Sequence, residues 1–204
     1  IWTGSSYDHL GSQSGDTVWA GSDDDKVHLQ FANHGDVVNG GDGTDTLYLY
    51  NNNGYINQFS LLAGGSNAGL SAEEFEILKY YGSSASETVE GGNQEDWISG
   101  GDGVDLLSGA GGDDWLFGDD GADLINGGTG HDNLRGGEDG DMLFGQNGND
   151  VLYGEDGDDS ISDGSGSDLV IAGDGNDTIR TGAGYDTVRA GDGDDTIREE
   201  ASDF

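Results

Sequence analysis

The sequence has no cysteine, no proline, one methionine and only 6 lysines and arginines, against 42 aspartates and glutamates in 204 residues. Without cysteine there is no disulfide and no thiolate metal site. In an oxidising compartment some other staple must hold the fold. Without proline no position is barred from donating its backbone N–H to a hydrogen-bonded ladder. So few bases exclude general nucleic-acid binding, which needs basic side chains to neutralise phosphates. No apolar run approaches the length of a membrane span, so no transmembrane segment is expected. A net charge of −36, with 41 glycines, would ordinarily read as disorder unless something neutralises the acids.

What is present is a period. From Gly91 to Arg198 the chain repeats every nine residues, twelve times, with no insertion or deletion. The sixth place is always aspartate: Asp96, Asp105, Asp114, Asp123, Asp132, Asp141, Asp150, Asp159, Asp168, Asp177, Asp186 and Asp195. The eighth is always aliphatic, from Ile98 and Leu107 through Leu152 to Val188 and Ile197. The fourth place is glycine except at Gln94 and Asp139, and the first is glycine except at Asp163, Ala172, Thr181 and Ala190. Asp139 brings the turn around Asp141 into question. Unbroken self-similarity at a fixed short period is the mark of a solenoid.

A degenerate block precedes this array, with Asp16, Asp25, Asp36 and Asp45 at the sixth place and Val18, Val27, Val38 and Leu47 at the eighth. Residues 3–10 form one more damaged unit around Asp8. Residues 49–81 break the period, with strands expected at Leu47–Tyr50, Tyr55–Leu62 and Phe75–Tyr81. Ser71 with Glu74 also has the spacing of a capping box, which would open a helical turn. Gly82–Glu90 returns to register with Glu87 at the sixth place, although its longer arm makes an imperfect substitute for aspartate. The expected organisation is a short degenerate roll over 1–48, a β-rich insert over 49–81 and a main roll over 82–204. The chain begins at Ile1 inside a repeat-like stretch, which suggests a piece of a longer polypeptide.

Glycine in the first six places suits tight turns and positive φ, and the last three places are β-formers. In Gly145–Tyr153, strand alternation puts Leu152 on the opposite face from Val151 and Tyr153. With the eighth place inward, each unit is a turn plus a three-residue strand, and two units make a coil. Coils then stack about 4.8 Å apart. One aliphatic side chain per unit cannot offset the entropy of ordering nine residues, so ladder hydrogen bonds and a ligand must contribute. Stacking places Asp96, Asp114, Asp132, Asp150, Asp168 and Asp186 along one edge and the other six aspartates along the opposite edge. Such rows repel unless cations lie between them.

Carboxylates and turn carbonyls offer only oxygen, which suits Ca²⁺; zinc favours histidine or cysteine, and magnesium sheds its waters reluctantly. The candidate carbonyls belong to Gly100, Gly103, Gly109, Gly118, Gly121, Gly127, Gly130, Gly145, Gly148, Gly154 and Gly157. The edges differ at the third place. It is acidic throughout one of them (Asp102, Asp120, Glu138, Asp156, Asp174, Asp192) and never on the other. The acidic edge is either a solvated rim or a tighter cation-binding row.

Places seven and nine face outward, and in the early coils several are apolar: Trp97, Trp115, Phe117, Phe144 and Tyr153 mark a candidate contact surface. Either the insert or a neighbouring domain covers them, or they meet a glycan or another surface. No HExxH zinc motif and no GxSxG elbow occurs, and acid pairs are too general to single out a general acid and base. His131 sits in the variable fifth place, as a turn residue. The chain reads as a non-enzyme.

The pattern Gly-Gly-x-Gly-x-Asp-x-aliphatic-x, as in Gly100–Ser108 and Gly127–Arg135, resembles the RTX (repeats-in-toxin) family, fully over 91–198 and loosely over 11–48. The resemblance implies an all-β, right-handed parallel β-roll (a β-solenoid) of two short-strand sheets with calcium-binding turns on both edges. It implies Ca²⁺ between successive turns of each edge, roughly ten ions in the long array. It also implies a larger secreted or cell-surface protein (a toxin, enzyme or adhesin) exported by the type I secretion apparatus of Gram-negative bacteria. Folding would then begin on meeting external calcium. A module that grips a polysaccharide or surface through the outer face of the roll is the alternative.

Overall fold

Most strands of the regular array are six residues long, twice the expected length: Trp97–Asp102, Leu106–Gly111 and Trp115–Asp120 are the first three. Places seven to nine continue into the first three places of the next unit, and side chains alternate in and out along the way. Ile98 and Gly100 are buried while Trp97 and Ser99 face out. The strand survives a left-handed residue at the second place, as at Gly101 (φ 94°) and Gly128 (φ 110°), and the chain turns at the fourth place, where Gly103 has φ 142°. The sequence expects the first six places to form the turn, but the first three of them lie within the strand.

This computed structural model describes residues 17–30, 36–51, 58–60, 66–67, 70–73 and 76–199. Among them the chain is all β, without a helix, and no helix is long and apolar enough to cross a membrane. Strands from alternate units enter alternate sheets. One sheet runs from Lys26–Gln30 through Thr46–Tyr50, Ile77–Ser83, Trp97–Asp102 and onward to Thr187–Asp192; the other runs from Gln58–Ser60 through Thr88–Glu90 and Leu106–Gly111 to Thr196–Glu199. All pairings in these two sheets are parallel, and in the array partners are eighteen residues apart: Trp97 with Trp115, Trp115 with Asn133, Asn133 with Val151. A four-stranded sheet joins Thr17–Gly21, Asp36–Gly41, Leu70–Glu73 and Ser66–Asn67, the last pair antiparallel.

The eighth-place side chains fill the space between the sheets. Ile98, Leu107, Leu116, Ile125, Leu134, Leu143 and Leu152 are wholly buried in one continuous cluster. The cluster thins toward the end, where Val188 is half-buried and Ile197 is 51% exposed. Each coil therefore depends on its neighbours for its core, which is the hallmark of a quasi-one-dimensional fold.

Residues between the two repeat blocks correct several expectations. Leu70–Glu73 is a strand, so Ser71 opens no helical turn. The strand expected at Phe75–Tyr81 begins at Ile77 and runs to Ser83. Of Tyr55–Leu62, the described part is Gln58–Ser60, a strand. The unit around Asp8 and the tail beyond Glu199 lie outside the described residues.

The first block joins the long sheet two residues out of phase with the array. Leu47, an eighth-place residue, pairs with Leu78, and Leu49 pairs with Tyr80, which in turn pairs with Ile98. Leu78 thus stands one coil before Asp96, at the sixth place. A slip of two residues keeps every side chain on its own face, whereas a slip of one would have inverted them.

Turn geometry distinguishes two kinds of fourth-place residue. Gly121, Gly130, Gly148 and Gly157 adopt φ 127–143°, beyond the left-handed basin open to other residues, whereas Asp139 settles at φ 75°. A Cβ on Gly148 would also overlap the carbonyl oxygen of Gly130 one coil back. In the calcium-loaded chain, Asp139→Gly should therefore raise stability by about 1 kcal/mol, the cost of holding an L-residue left-handed. Gly148→Ala should lower it by more than that. Thermal unfolding followed by circular dichroism measures both.

Candidate metal centre

Each sixth-place aspartate of the regular array turns inward and accepts a hydrogen bond from the backbone one coil earlier. The Asp96 N–H donates to Asp114 Oδ1 (2.8 Å), Asp114 N–H to Asp132 Oδ1 (2.9 Å), and Asp132 N–H to Asp150 Oδ1 (2.9 Å). Along the opposite edge Asp105 donates to Asp123 (2.7 Å), Asp123 to Asp141 (2.7 Å) and Asp141 to Asp159 (2.8 Å). Both columns continue to the end of the array, where the Asp168 and Asp177 N–H groups reach Asp186 and Asp195 at 3.1 and 3.0 Å. The two rows of acids read from the sequence are therefore two hydrogen-bonded ladders. The aspartates from Asp96 to Asp177 are at most 3% exposed, and Asp186 and Asp195 are half-buried.

The second carboxylate oxygen is left over. Oδ2 of Asp105, Asp114, Asp123, Asp132, Asp141, Asp150, Asp159, Asp168 and Asp177 is buried and makes no hydrogen bond; Asp96 differs, since its Oδ2 accepts the Gly92 N–H at 2.6 Å. That oxygen lies over the first-place glycine of its own unit. A Cβ at Gly100, Gly109, Gly118, Gly136 or Gly154 would collide with it. Orphaned buried carboxylate oxygens are costly and demand a counter-charge. Burial, with repulsion from neighbouring carboxylates added to it, raises these acids above the usual 3.8, Asp114 to about 8 and Asp141 to about 7. Asp96, Asp123, Asp132, Asp159 and Asp168 rise to about 6, each chiefly through burial.

The candidate carbonyls run beside these columns. Gly103, Gly130 and Gly148 point their carbonyl oxygens at the fourth-place glycine one coil on, and Gly109, Gly118 and Gly127 point theirs at the first-place glycine one coil back. Two stacked turns thus bring together only oxygen donors, the set a hard divalent cation such as Ca²⁺ takes. The residues fit the ion the sequence called for.

The acidic third places also form a true column, with Asp102, Asp120, Glu138, Asp156, Asp174 and Asp192 paired in register along one edge of the long sheet. A further ladder, on the fifth place, was not foreseen. Asp113 Oδ1 accepts the His131 N–H (2.7 Å), His131 Nδ1 accepts the Asn149 N–H (2.8 Å), and Asn149 Oδ1 accepts the Ser167 N–H (2.8 Å). Its signal is a polar side chain at each of these places, visible only once the eighteen-residue stacking is known. Asp139, the irregular turn residue, leaves the Asp123–Asp141 rung intact.

The first block carries a shorter version. The Asp25 N–H donates to Asp45 Oδ1 (2.8 Å) and the Asp45 N–H to Glu76 Oε2 (2.7 Å), while Asp45 Oδ2 is buried and unpartnered. The two-residue slip sets this column beside the main one and not in line with it. Asp36 opens the strand Asp36–Gly41, and Asp16 lies outside the described residues. Glu87 spends its longer arm on protein donors: Ser83 Oγ (2.5 Å) and Asn51 Nδ2 (3.0 Å) reach its Oε1, and burial raises it to about 7.

The candidate contact residues divide between faces. Trp97, Trp115, Phe117 and Tyr153 share the outer face of the long sheet, where Trp97 stacks on Trp115 (5.8 Å) and meets the ring of Phe117 at a tilt (4.7 Å). Lys79 lies over Trp97 and Arg135 over Tyr153, and Arg135 also pairs with Glu155 (3.4 Å). Phe144 sits on the other sheet, paired with Asn126 and Ser162.

A parallel solenoid whose turns carry columns of buried, half-satisfied carboxylates is a structural cation-binding repeat. The chain belongs to the RTX calcium-binding nonapeptide repeat family: the model for four copies of this repeat matches residues 34–56, 81–116, 108–143, 135–170, 144–179 and 171–198. No curated protein matches it.

The raised carboxyls set an opposite pH dependence for the two states of the chain. A carboxyl whose folded value exceeds its unfolded value favours the fold when protonated. The metal-free fold should therefore gain stability as pH falls through about 8 to 6, the gain becoming complete below 3.8. With Ca²⁺ the sign reverses, because protonation removes the ligands. Circular dichroism in chelator should show β-structure growing on acidification from neutral pH, and the difference made by Ca²⁺ should vanish at the acid end.

Proposed function

We propose that this chain is a calcium-operated folding module within a larger secreted protein. The observation that carries the reading is the pair of columns of buried Oδ2 atoms without partners. Ca²⁺ supplies positive charge and a demand for six to eight oxygens. Between successive turns the sixth-place aspartates would offer Oδ2, and the first- and fourth-place glycines their carbonyls, roughly ten sites along the regular array. Without that charge, the acids repel one another and the thin aliphatic core cannot order the coils. A chain that stays open where calcium is scarce and folds where it is abundant suits passage through an export channel such as the type I apparatus, followed by folding outside the cell. On this reading the module itself carries no catalysis, and any toxic, enzymatic or adhesive activity belongs to the remainder of the parent polypeptide.

In chelator at neutral pH the chain should lack β-structure by circular dichroism, and millimolar Ca²⁺ should restore it. A β-rich spectrum in chelator would overturn coupled folding. Asp132→Asn with Asp150→Asn removes two adjacent charges from one column while keeping the hydrogen-bonding shape. The pair should weaken Ca²⁺ binding by about tenfold or more in calorimetric titration, since ligand charge sets affinity in such sites.

A second reading adds polysaccharide binding, supported by the stacked rings of Trp97, Trp115 and Phe117 on one face, with Trp115 41% exposed. Flat, exposed aromatic faces offer apolar platforms to sugar rings. In affinity electrophoresis through polysaccharide-containing gels with Ca²⁺, the folded chain should be retarded and Trp97→Ala/Trp115→Ala should not. Equal mobility of the two in every gel would remove this reading and leave the first one standing.

A further inference from the structure

The first place of the repeat has a physical reason to be glycine, and one unit breaks the rule with a charge. In the eight units from Gly91 to Gly154 the first place is glycine, and in seven of these eight the nearest atom an added Cβ would meet is Oδ2 of the same unit's aspartate (at Gly145 it comes second). At residue 163 the chain instead places a second carboxylate beside that oxygen. Asp163 is fully buried, and its Oδ1 accepts the Gly182 N–H from the next coil at 2.7 Å. Its Oδ2 has no hydrogen-bond partner, and neither does the buried Oδ2 of Asp168.

Carboxylate oxygens of Asp163, Asp168 and Asp186 all lie within 4.8 Å of one another. Unit charges so close repel by about 4 kcal/mol per pair at the effective dielectric of a protein surface. The two coils nonetheless hold them together with intact ladder bonds, since Asp150 donates to Asp168 at 2.7 Å and Asp168 to Asp186 at 3.1 Å. Elsewhere in the array each stacked pair of turns contributes one sixth-place carboxylate per coil. Here the same space receives one more.

We infer that Asp163, Asp168 and Asp186 form a three-carboxylate Ca²⁺ site of a kind distinct from the repeated ones, and the tightest on the chain. The inference rests on the calcium reading above and assigns a ligand role to a residue outside the repeat's own aspartates. Affinity of oxygen sites for Ca²⁺ rises with the number of charged ligands, and among the described residues this is the group in which three carboxylates converge. It should remain filled at calcium concentrations that empty the regular turns.

Calorimetric Ca²⁺ titration of the full chain and two variants tests this. Asp163→Asn keeps the acceptor for Gly182 and removes the charge, and Asp163→Gly restores the regular unit. The wild-type chain should show a tight class of about one ion ahead of the rest; both variants should lose it, with that ion binding at least about tenfold more weakly, and keep the remaining events. If Asp163→Asn folds poorly, Asp163→Gly carries the test, having the residue the other units use. Titrations of the variants that superpose on the wild type would overturn the three-carboxylate site and leave the folding reading intact. A wild-type chain that takes up no Ca²⁺ would overturn both.

Discussion

Everything in this fold depends on a carboxylate held inside the stack of coils. The sixth-place aspartate gives one oxygen to the backbone of the preceding coil and leaves the other buried without a hydrogen-bond partner. The first oxygen sets the stacking distance and register; the second creates a debt of charge. Neither can be moved to the surface without losing the rung that joins the coils. The architecture therefore couples shape to electrostatics at every step of its length, and a neutral side chain of the same size would stack without the requirement for a cation.

The glycines follow from that carboxylate. The first-place glycine leaves room for Oδ2, and the fourth-place glycine lets the chain turn close beneath the carbonyl of its neighbour. The aliphatic eighth place supplies most of the apolar contact between the sheets of the array, so deleting or inserting a residue would turn that side chain outward and misplace the acid in the same stroke. This explains why the array keeps its period without interruption for twelve units while its outward places drift from tryptophan and phenylalanine to threonine and arginine.

Much of this was legible in the sequence. The period gave the solenoid, the eighth place gave the core, and the sixth place gave two edges of acids. Strand length was not legible, because a left-handed second place looks like a turn in sequence yet lies inside a strand, as at Gly101. The ladder bonds were hidden because each joins residues eighteen apart, a distance that carries meaning only after stacking is known. Asp163 appeared as a blemish in the glycine column, and its proximity to Asp186 arises from the next coil. Around residues 70–83 local propensity misled: a capping pattern at Ser71 lost to strand pairing with Asp36–Gly41, a tertiary contact that short-range signals do not encode.

The two-residue slip between Leu47 and Leu78 has a consequence for how the molecule responds along its axis. Hydrophobic contact crosses the joint without a break, since Leu49, Tyr80 and Ile98 stay in line. The acid column does not cross it, because Leu78 occupies the rung where a carboxylate would stand and Asp45 passes its bond to Glu76 instead. In a nearest-neighbour chain, cooperativity travels only as far as the interaction that carries it. The joint therefore behaves as a selective coupling: apolar packing passes from one block to the next, while the ladder of carboxylate bonds along this edge stops there.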